Sequence, residues 1–284
     1  MQTPRLQFQP QLDGFFKRYM ISVNDRPLCF FNPGVANRDW LDWNMKRPSI
    51  HPLYTPAGLP VTEQGAHNYP HHKACWIAHG LVNGVNFYHD GPGGGRILAR
   101  KVNWTEGDGG GILDADVEWV DAGHEIVLHE KRRHWFRPGA TANRIDVRTE
   151  LSTPREKAEI AIEKHAFFHV RAIEALNEES GSRLRASNGI TGAMKIFDTE
   201  GNWIDCAGRI GGQSLGVCIM AHPSECPQPL FARPYGTIAL NLFFHKPLTL
   251  ARGQTWRRTY SVVAYDGELD VEAAYRELGA TKFD

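Results

Sequence analysis

The sequence carries no surplus of charge, because Lys plus Arg and Asp plus Glu number 32 each among its 284 residues. Such a chain has no overall field to gather nucleic acid or an anionic membrane, so we exclude both as principal partners. It also lacks any run near the ~20 apolar residues of a membrane span. Its opening stretch, MQTPRLQFQPQLDGFF, lacks the basic start and apolar core of an export signal. We therefore expect a cytoplasmic protein.

The sequence has few cysteines, and their spacing does not suggest pairs. The five cysteines are an odd number, lie far apart and include no Cys-x-x-Cys step, which argues against a disulfide framework and against a thiolate zinc site. We expect reduced thiols, mostly in the core, at Cys29, Cys75, Cys206, Cys218 and Cys226.

Several familiar catalytic motifs are also missing. HEIVLH at 124–129 and HEKRRH at 129–134 each have one residue too many for the His-Glu-x-x-His zinc pattern. GPGGGR at 91–96 lacks the spacing of a dinucleotide loop and predicts a flexible turn, and HPSECP at 222–227 lacks the second cysteine of a deaminase site. The sequence contains no Walker loop.

What is present is a series of alternating apolar and polar stretches separated by turn signals. GILDADVEWVDA, NRIDVRTEL and RRTYSVVAYDG each predict a half-buried antiparallel strand. With 42% hydrophobic residues, the chain can bury a large core. We predict an all-β fold, a large antiparallel β-sandwich forming a single domain over 1–284, with a short C-terminal helix.

That helix is predicted from Asp270 to Leu278, with Asp270 as N-cap and Gly279 just past its end. The segment 176–214 has weak periodicity and many small residues, and we expect a long connection across one face.

Two histidine-rich regions are the candidate sites. In EIAIEKHAFFHVRAI, an extended chain places one apolar face opposite one polar face. The apolar face contains Ile160, Ile162, Ala166, Phe168 and Val170, and the polar face contains Glu163, His165, Phe167, His169 and Arg171. A carboxylate, two imidazoles and a guanidinium suit proton transfer and the binding of hydroxyls or a carboxylate. A solvated strand face would show the same alternation.

The other region, residues 47–91, contains PLYTPAG at 52–58, NYPHH at 68–72 and WIAHGLVNG at 76–84. These blocks, with the closing segment 234–267, resemble the bacterial family that automated annotation labels methane-oxygenase-like. The resemblance implies a β-sandwich similar to the galactose-mutarotase supersandwich. Asn68 and Tyr69 stand where the family pattern has Asp-His, and Lys73 stands where an arginine is common, which keeps the charge but not the planar fork.

Of the successive residues His71 and His72, only one can face a site in an extended chain, and we favour His72. Trp76 fits either the core or a sugar-stacking platform. Trp203 and Asp205 share one face of an extended stretch and could stack on and hydrogen-bond a substrate.

We therefore hypothesise an enzyme without a cofactor, acting on a small polar, carbohydrate-like substrate as isomerase, lyase or hydrolase. His72 and His165 would share the acid and base roles, with Glu163 tuning an imidazole. Its only required partner is this substrate, and homo-oligomerisation is left open. The predicted substrate-binding residues are His51, His71, Trp76, His79, His169, Arg171, Trp203 and Asp205.

Two alternatives remain. The first is a metal-dependent enzyme, such as an oxygenase, in which His72, His165 and Glu163 bind a divalent transition metal. The second is a non-catalytic carbohydrate-binding protein, although binding alone rarely needs so many groups that titrate near neutrality.

Overall fold

The computed structural model describes residues 4–13, 16–34, 46–91, 93–107 and 109–283. Within these ranges the chain forms nineteen strands and two α-helices, together with three short 3-10 helices at Glu174–Leu176, Glu178–Ser180 and Pro223–Glu225. The strands are β1 (Leu6–Asp13), β2 (Phe16–Val23), β3 (Arg26–Asn32), β4 (Ser49–Leu53), β5 (Cys75–His79), β6 (Arg96–Gly107), β7 (Gly110–Val120), β8 (Ile126–Arg137), β9 (Ala142–Ser152), β10 (Lys157–Ile160), β11 (Ala166–Arg171), β12 (Arg183–Ala186), β13 (Glu200–Gly201), β14 (Trp203–Ile210), β15 (Gln213–Ala221), β16 (Gln228–Ala232), β17 (Thr237–Leu240), β18 (Leu248–Ala251) and β19 (Trp256–Asp266), and the helices are α1 (Ala193–Ile196) and α2 (Val271–Ala280).

The strands form two large antiparallel sheets that face each other. One has nine strands in the order β1-β2-β3-β4-β5-β11-β17-β16-β13, and the other has eight in the order β12-β14-β15-β19-β9-β8-β7-β6. A small third sheet pairs β10 with β18. Side chains from both large sheets meet in one core, as where Phe168 of β11 stacks on Tyr260 of β19 with ring centroids 4.8 Å apart. The predicted antiparallel β-sandwich is confirmed.

The predicted alternation places the expected side chains in the core. On β7, Leu113, Ala115, Val117 and Trp119 are all buried, and the other two predicted strands lie within β9 and β19. The thiols are free, and four of the five are buried while Cys226 is partly exposed, in agreement with the expected core cysteines.

The interior also holds a buried ion pair. On β8, Glu130 and Arg132 point between the sheets, each at most 3% exposed. Arg132 donates to both carboxylate oxygens of Glu130 at 2.6 and 2.8 Å, and the Trp119 indole and the Thr149 hydroxyl also donate to that carboxylate, each at 2.8 Å. The carboxylate is fully satisfied by the protein itself. We call these four residues the interior network.

Helix α2 packs on the outer side of the eight-stranded sheet. The Asp270 side chain accepts a hydrogen bond from the Ala273 N–H at 2.9 Å, which confirms the predicted N-cap. Gly279, predicted just past the end, lies inside the helix, which continues to Ala280. Val271 and Leu278 pack in a small second cluster with Trp203 and other residues of that sheet. No helix in the described ranges is long and apolar enough to cross a membrane.

Two predictions about local structure are wrong. Segment 176–214 is not a long connection, because it contains β12, α1, β13 and β14. Segment 159–173 is not one strand, because the chain leaves the sheet after Ile160 and enters it again at Ala166. Ile162, expected in the core, is therefore 54% exposed, and Phe167, expected on the polar face, is fully buried.

Candidate active site

The floor of the candidate site is one row of side chains across the outer face of the nine-stranded sheet. Directly paired residues of antiparallel strands point to the same face. The pairings Ser49 with Trp76, Trp76 with His169, His169 with Ala239, and Ala239 with Phe231 therefore define a continuous row from β4 to β16. The opposite face of these strands carries Phe168 and the sandwich core.

Three loops bring imidazoles together above this row. His71 lies before β5, His89 lies after it, and His165 lies just before β11. The ring centroids of His71 and His89 are 4.8 Å apart, and those of His89 and His165 are 4.9 Å apart. All three side chains are partly exposed. Together with Glu163 they form what we call the imidazole cluster.

Glu163 and His165 form a carboxylate–imidazole pair. Glu163 Oε1 lies 2.9 Å from His165 Nδ1 and also accepts the His165 backbone N–H at 3.1 Å. Burial alone would raise the pKa of Glu163, but these contacts with His165 lower it below its ordinary value. The carboxylate is therefore ionised and Nδ1 carries the proton, which leaves a lone pair on His165 Nε2. Burial lowers the pKa of His165 in spite of Glu163, so the ring is neutral near pH 7.

Gly80 makes room for this pair. A Cβ atom added at Gly80 would lie 2.5 Å from Cγ and 2.9 Å from Cδ of Glu163, closer than Cβ atoms approach in proteins. Any larger residue at this position would therefore require the Glu163 side chain to shift.

Asn86 sets the opposite tautomer on His89. The Asn86 carbonyl oxygen accepts the backbone N–H groups of Tyr88 and His89, each at 2.8 Å. Its amide nitrogen therefore faces His89 Nδ1, 3.2 Å away, and must donate to it. The proton of the neutral ring is then on Nε2. Burial, followed by the Arg47 charge, lowers the pKa of His89.

Aromatic rings surround the cluster. Tyr88 is buried, and its ring centroid lies 5.1 Å from those of His89, His165 and His169. Tyr69 stacks on Tyr235 with centroids 4.3 Å apart, and both rings are partly exposed. A sugar has both apolar C–H faces and polar hydroxyl groups, so it can bind where aromatic ring faces lie next to polar side chains.

A buried charge cluster supports the loop that carries His89. Asp90 pairs with Arg47 and, at 2.8 Å, with Lys73, and Arg47 also donates to the Tyr88 carbonyl. Burial, with the Arg47 charge, lowers the pKa of Lys73 to about 8. Two cations thus share one carboxylate directly beneath the imidazole cluster.

The structure corrects the choice between the two successive histidines. His72, predicted as the catalytic residue, is only 3% exposed, stacks under Tyr69 and lies within 3.1 Å of the Thr237 hydroxyl. His71 is the one that faces His89. The reason is the turn at 69–72, in which the His72 N–H donates to the Tyr69 carbonyl and directs the His72 ring inward.

Four predicted substrate-binding residues are buried: Trp76, His169 and Arg171 on the outer face of the sheet, and His79 on the core face, where it packs on Phe243. Trp76 stacks on His169 at 4.8 Å, and His79 Nδ1 accepts the Leu81 N–H at 2.9 Å. Arg171 binds Glu63 at 3.1 Å. All four, Trp76, His79, His169 and Arg171, are at most 4% exposed. They position the outer residues and do not line an open surface.

The fifth, His51, lies on β4 and is partly exposed. Burial, with the Arg18 charge, lowers its pKa to about 4. It makes no ring contact with the imidazole cluster among the described residues.

Trp203 and Asp205 do not belong to this site, contrary to prediction. They lie on β14 of the other sheet, under α2. Trp203 donates to Glu272 at 3.2 Å, and Asp205 accepts the Tyr265 hydroxyl at 2.7 Å and Arg185 at 2.9 Å. Alternation correctly placed both on one face, but it could not show which sheet they join.

The alternative metal site is not supported by the arrangement of side chains. In the described part of the chain, no three His, Cys, Asp or Glu side chains are placed so that they could hold a metal ion. The predicted ligands His165 and Glu163 bind each other, while His72 is turned toward Thr237.

The sequence pattern places His89 only within the histidine-rich region 47–91 and assigns no role to Asn86, Tyr88 or Asp90. The available signal was the spacing Asn86-x-x-His89, since an asparagine that accepts N–H groups two and three residues later is a recognised turn.

Comparisons with solved structures find distant similarities. A galactose mutarotase-like protein from Clostridium acetobutylicum has a TM-score of 0.47 and 9% identity, over 93% of this chain and 99% of that one. The GH36 alpha-galactosidase AgaA from Geobacillus stearothermophilus has a TM-score of 0.41 and 9% identity, over 92% of this chain. This chain spans only 41% of the length of that alpha-galactosidase. At these TM-scores, function has to be inferred from the side chains of the site.

A search of curated protein sequences finds no match. A family model does match, over residues 18–278, which is almost the whole chain. The protein therefore belongs to the family of unknown function DUF6807.

Proposed function

We propose that the protein is an acid–base enzyme that moves a proton on a small, carbohydrate-like substrate. The observation that carries this proposal is a pair of neighbouring imidazoles in opposite tautomers. His165 has its lone pair on Nε2 because Glu163 holds Nδ1, and His89 has its proton on Nε2 because Asn86 holds Nδ1. Their ring centroids are 4.9 Å apart.

In this mechanism His165 is the general base. It takes a proton from a substrate carbon or hydroxyl through Nε2, and the Glu163 carboxylate stabilises the imidazolium that forms. His89 donates from Nε2 to a substrate oxygen where negative charge develops. The reaction uses no cofactor. Because burial lowers the pKa of both rings, both are neutral and ready near pH 7.

The carboxylates favour an isomerase or a lyase over a hydrolase. Glycoside hydrolysis commonly uses two carboxyl groups, one of them protonated. Here Glu163 has a lowered pKa and is bound to His165, while Asp90 is bound to two cations. Neither suits the role of a protonated acid, whereas the imidazoles suit proton transfer.

The oxygenase alternative, which would fit the methane-oxygenase-like resemblance, has no supporting donor set in the described residues. The carbohydrate-binding alternative shares the aromatic rings with our proposal but does not need the opposed tautomers. Catalytic turnover of a sugar would therefore distinguish the proposed enzyme from a carbohydrate-binding protein.

The test is proton exchange. The protein is incubated in D2O with a panel of neutral and acidic mono- and disaccharides, and NMR follows deuterium incorporation, anomer exchange and unsaturated products. We expect turnover of at least one sugar, and a loss of roughly 10²- to 10⁴-fold in His165→Gln and Glu163→Gln, because each removes part of the general base.

His222→Gln is the matched control, because this histidine lies near Phe283 and contacts Ser224, far from the cluster in the fold. It should keep full activity. Binding of a sugar with no turnover would instead support the binding protein, and full activity of His165→Gln would exclude the proposed base.

A further inference from the structure

Arg233 lies at the end of the side-chain row that forms the floor of the site. The row runs from Trp76 through His169 and Ala239 to Phe231, and the His169 and Phe231 rings are 6.0 Å apart. Two residues later, in the turn between β16 and β17, Arg233 folds back over Phe231.

The guanidinium of Arg233 is held in place by two rings. Its central carbon lies 4.0 Å from the Phe197 ring centroid and 4.8 Å from that of Phe231. The turn beneath it is closed by the Gly236 N–H, which donates to the Arg233 carbonyl at 2.9 Å. A planar guanidinium stacked on rings loses little freedom when it binds a ligand, so its donors are preorganised.

Arg233 has no carboxylate partner within the described residues, unlike the other arginines of the site. Arg171 binds Glu63 and Arg47 binds Asp90, whereas the only side-chain hydrogen bond of Arg233 within the described residues is a long one, 4.0 Å, to the sulfur of Met194. The residue is only partly exposed. A half-buried guanidinium whose N–H donors are held in place without a carboxylate acceptor can bind the carboxylate of a ligand.

The surrounding charge is consistent with an anionic ligand. Tyr235 lies between Arg233 and Arg171, and both cations oppose the rise in its pKa that burial causes. On the other side of the cluster, Arg47 and Lys73 share the single carboxylate of Asp90. Basic side chains therefore lie on both sides of the imidazole cluster.

We propose that Arg233 binds a carboxylate of the substrate and that the enzyme acts on an acidic sugar, a uronate or a uronate-containing saccharide. Carboxylate and guanidinium match as planar, two-pronged groups. Arg233 is a specificity-determining residue that takes no part in proton transfer. This inference rests on the proposed function, since it names the substrate class of the same site.

The test compares matched sugars. Binding of methyl glucuronide and methyl galacturonide is measured against methyl glucoside and methyl galactoside by isothermal titration at equal ionic strength. We expect the acidic sugars to bind on the order of 10-fold tighter than the neutral ones. Arg233→Gln should remove this preference, and Arg233→Lys, which keeps the charge without the fork, should keep only part of it.

Arg258→Gln is the control, because Arg258 also stacks on a ring, that of Trp256 at 4.7 Å, but on the other sheet. It should keep the preference. Equal binding of acidic and neutral sugars, or a preference that survives in Arg233→Gln, would overturn the role of Arg233 and leave the acid–base proposal standing. Binding of none of the four sugars, with no turnover of any panel sugar, would overturn both.

Discussion

Two groups of interacting polar residues in this sandwich, the interior network and the imidazole cluster, are built differently. In the interior network, every group is paired inside the protein, and Glu130 accepts from Arg132, Trp119 and Thr149. In the imidazole cluster, two of the three rings have one nitrogen fixed, His165 by Glu163 and His89 by Asn86. Among the described residues, the Nε2 atom of neither ring has a hydrogen-bond partner.

The difference separates a structural use of buried polarity from a chemical one. A closed network stabilises one arrangement and offers nothing to a ligand, and breaking it leaves a charge without a partner. A ring that is fixed through one nitrogen keeps its other nitrogen available as a donor or an acceptor for a substrate. We therefore expect substitutions in the interior network to change stability and substitutions in the outer cluster to change activity.

The largest effect on stability should come from Glu130→Leu, which leaves the Arg132 guanidinium buried and unpaired. We expect a loss of about 3–5 kcal/mol in the free energy of unfolding, measured by urea denaturation. In the double variant Glu130→Leu, Arg132→Leu the loss should be smaller, because no unpaired charge remains. A single variant as stable as the unmodified protein would contradict the comparison.

Acid should weaken the fold through two buried imidazoles, His79 of β5 and His134 of β8. Burial lowers the pKa of His79 to about 4 and, with the Arg132 charge, that of His134 to about 3. The unfolded chain takes up protons at these groups below about pH 6.5, while the folded chain does not. The free energy of unfolding should be full above that pH and fall between it and about pH 4, by on the order of 1–3 kcal/mol for each ring.

Urea midpoints measured across this range check the effect. His79→Gln and His134→Gln should each flatten the dependence, because each removes one group that titrates in the unfolded chain only. A dependence that is equally steep in both variants would show that other groups cause it.

The smallest stability effects should separate the two adjacent histidines. His72→Asn removes a ring stacked under Tyr69 and next to Thr237, and should cost about 1–3 kcal/mol. His71→Asn should stay within about 0.5 kcal/mol of the unmodified protein, because the ring is partly exposed. The rate of sugar turnover should fall more in His71→Asn than in His72→Asn. Both variants are assayed under conditions in which they are folded.

The fold was predictable where the signal is local. The alternation of β7 and the N-cap of Asp270 depend on residues a few positions apart, so both could be read from the sequence. In segment 176–214, the pairing of β12 with β14, as between Arg183 and Ala207, is not local, whereas the Gly211-Gly212 turn that joins β14 to β15 was a local signal that the prediction overlooked.

The site was predictable to the same extent. The contact between Glu163 and His165 follows from two residues close in sequence, and it is present. The partner of His165 could not be identified, because His89 comes from a loop 76 residues earlier in the numbering and meets it only through the fold. The inward turn of His72 depends on a single backbone hydrogen bond that alternation does not describe.

The geometry of the Glu163–His165 pair depends on Gly80. A methyl group there would occupy the space of the Glu163 side chain while every residue that carries chemistry stayed in the sequence. Because Gly80 does not need a left-handed backbone, Ala can take its conformation, and the collision with Glu163 is the only penalty. A larger residue at this position would have to displace the Glu163 side chain, so the geometry of the proposed catalytic pair depends on a position that carries no chemistry of its own.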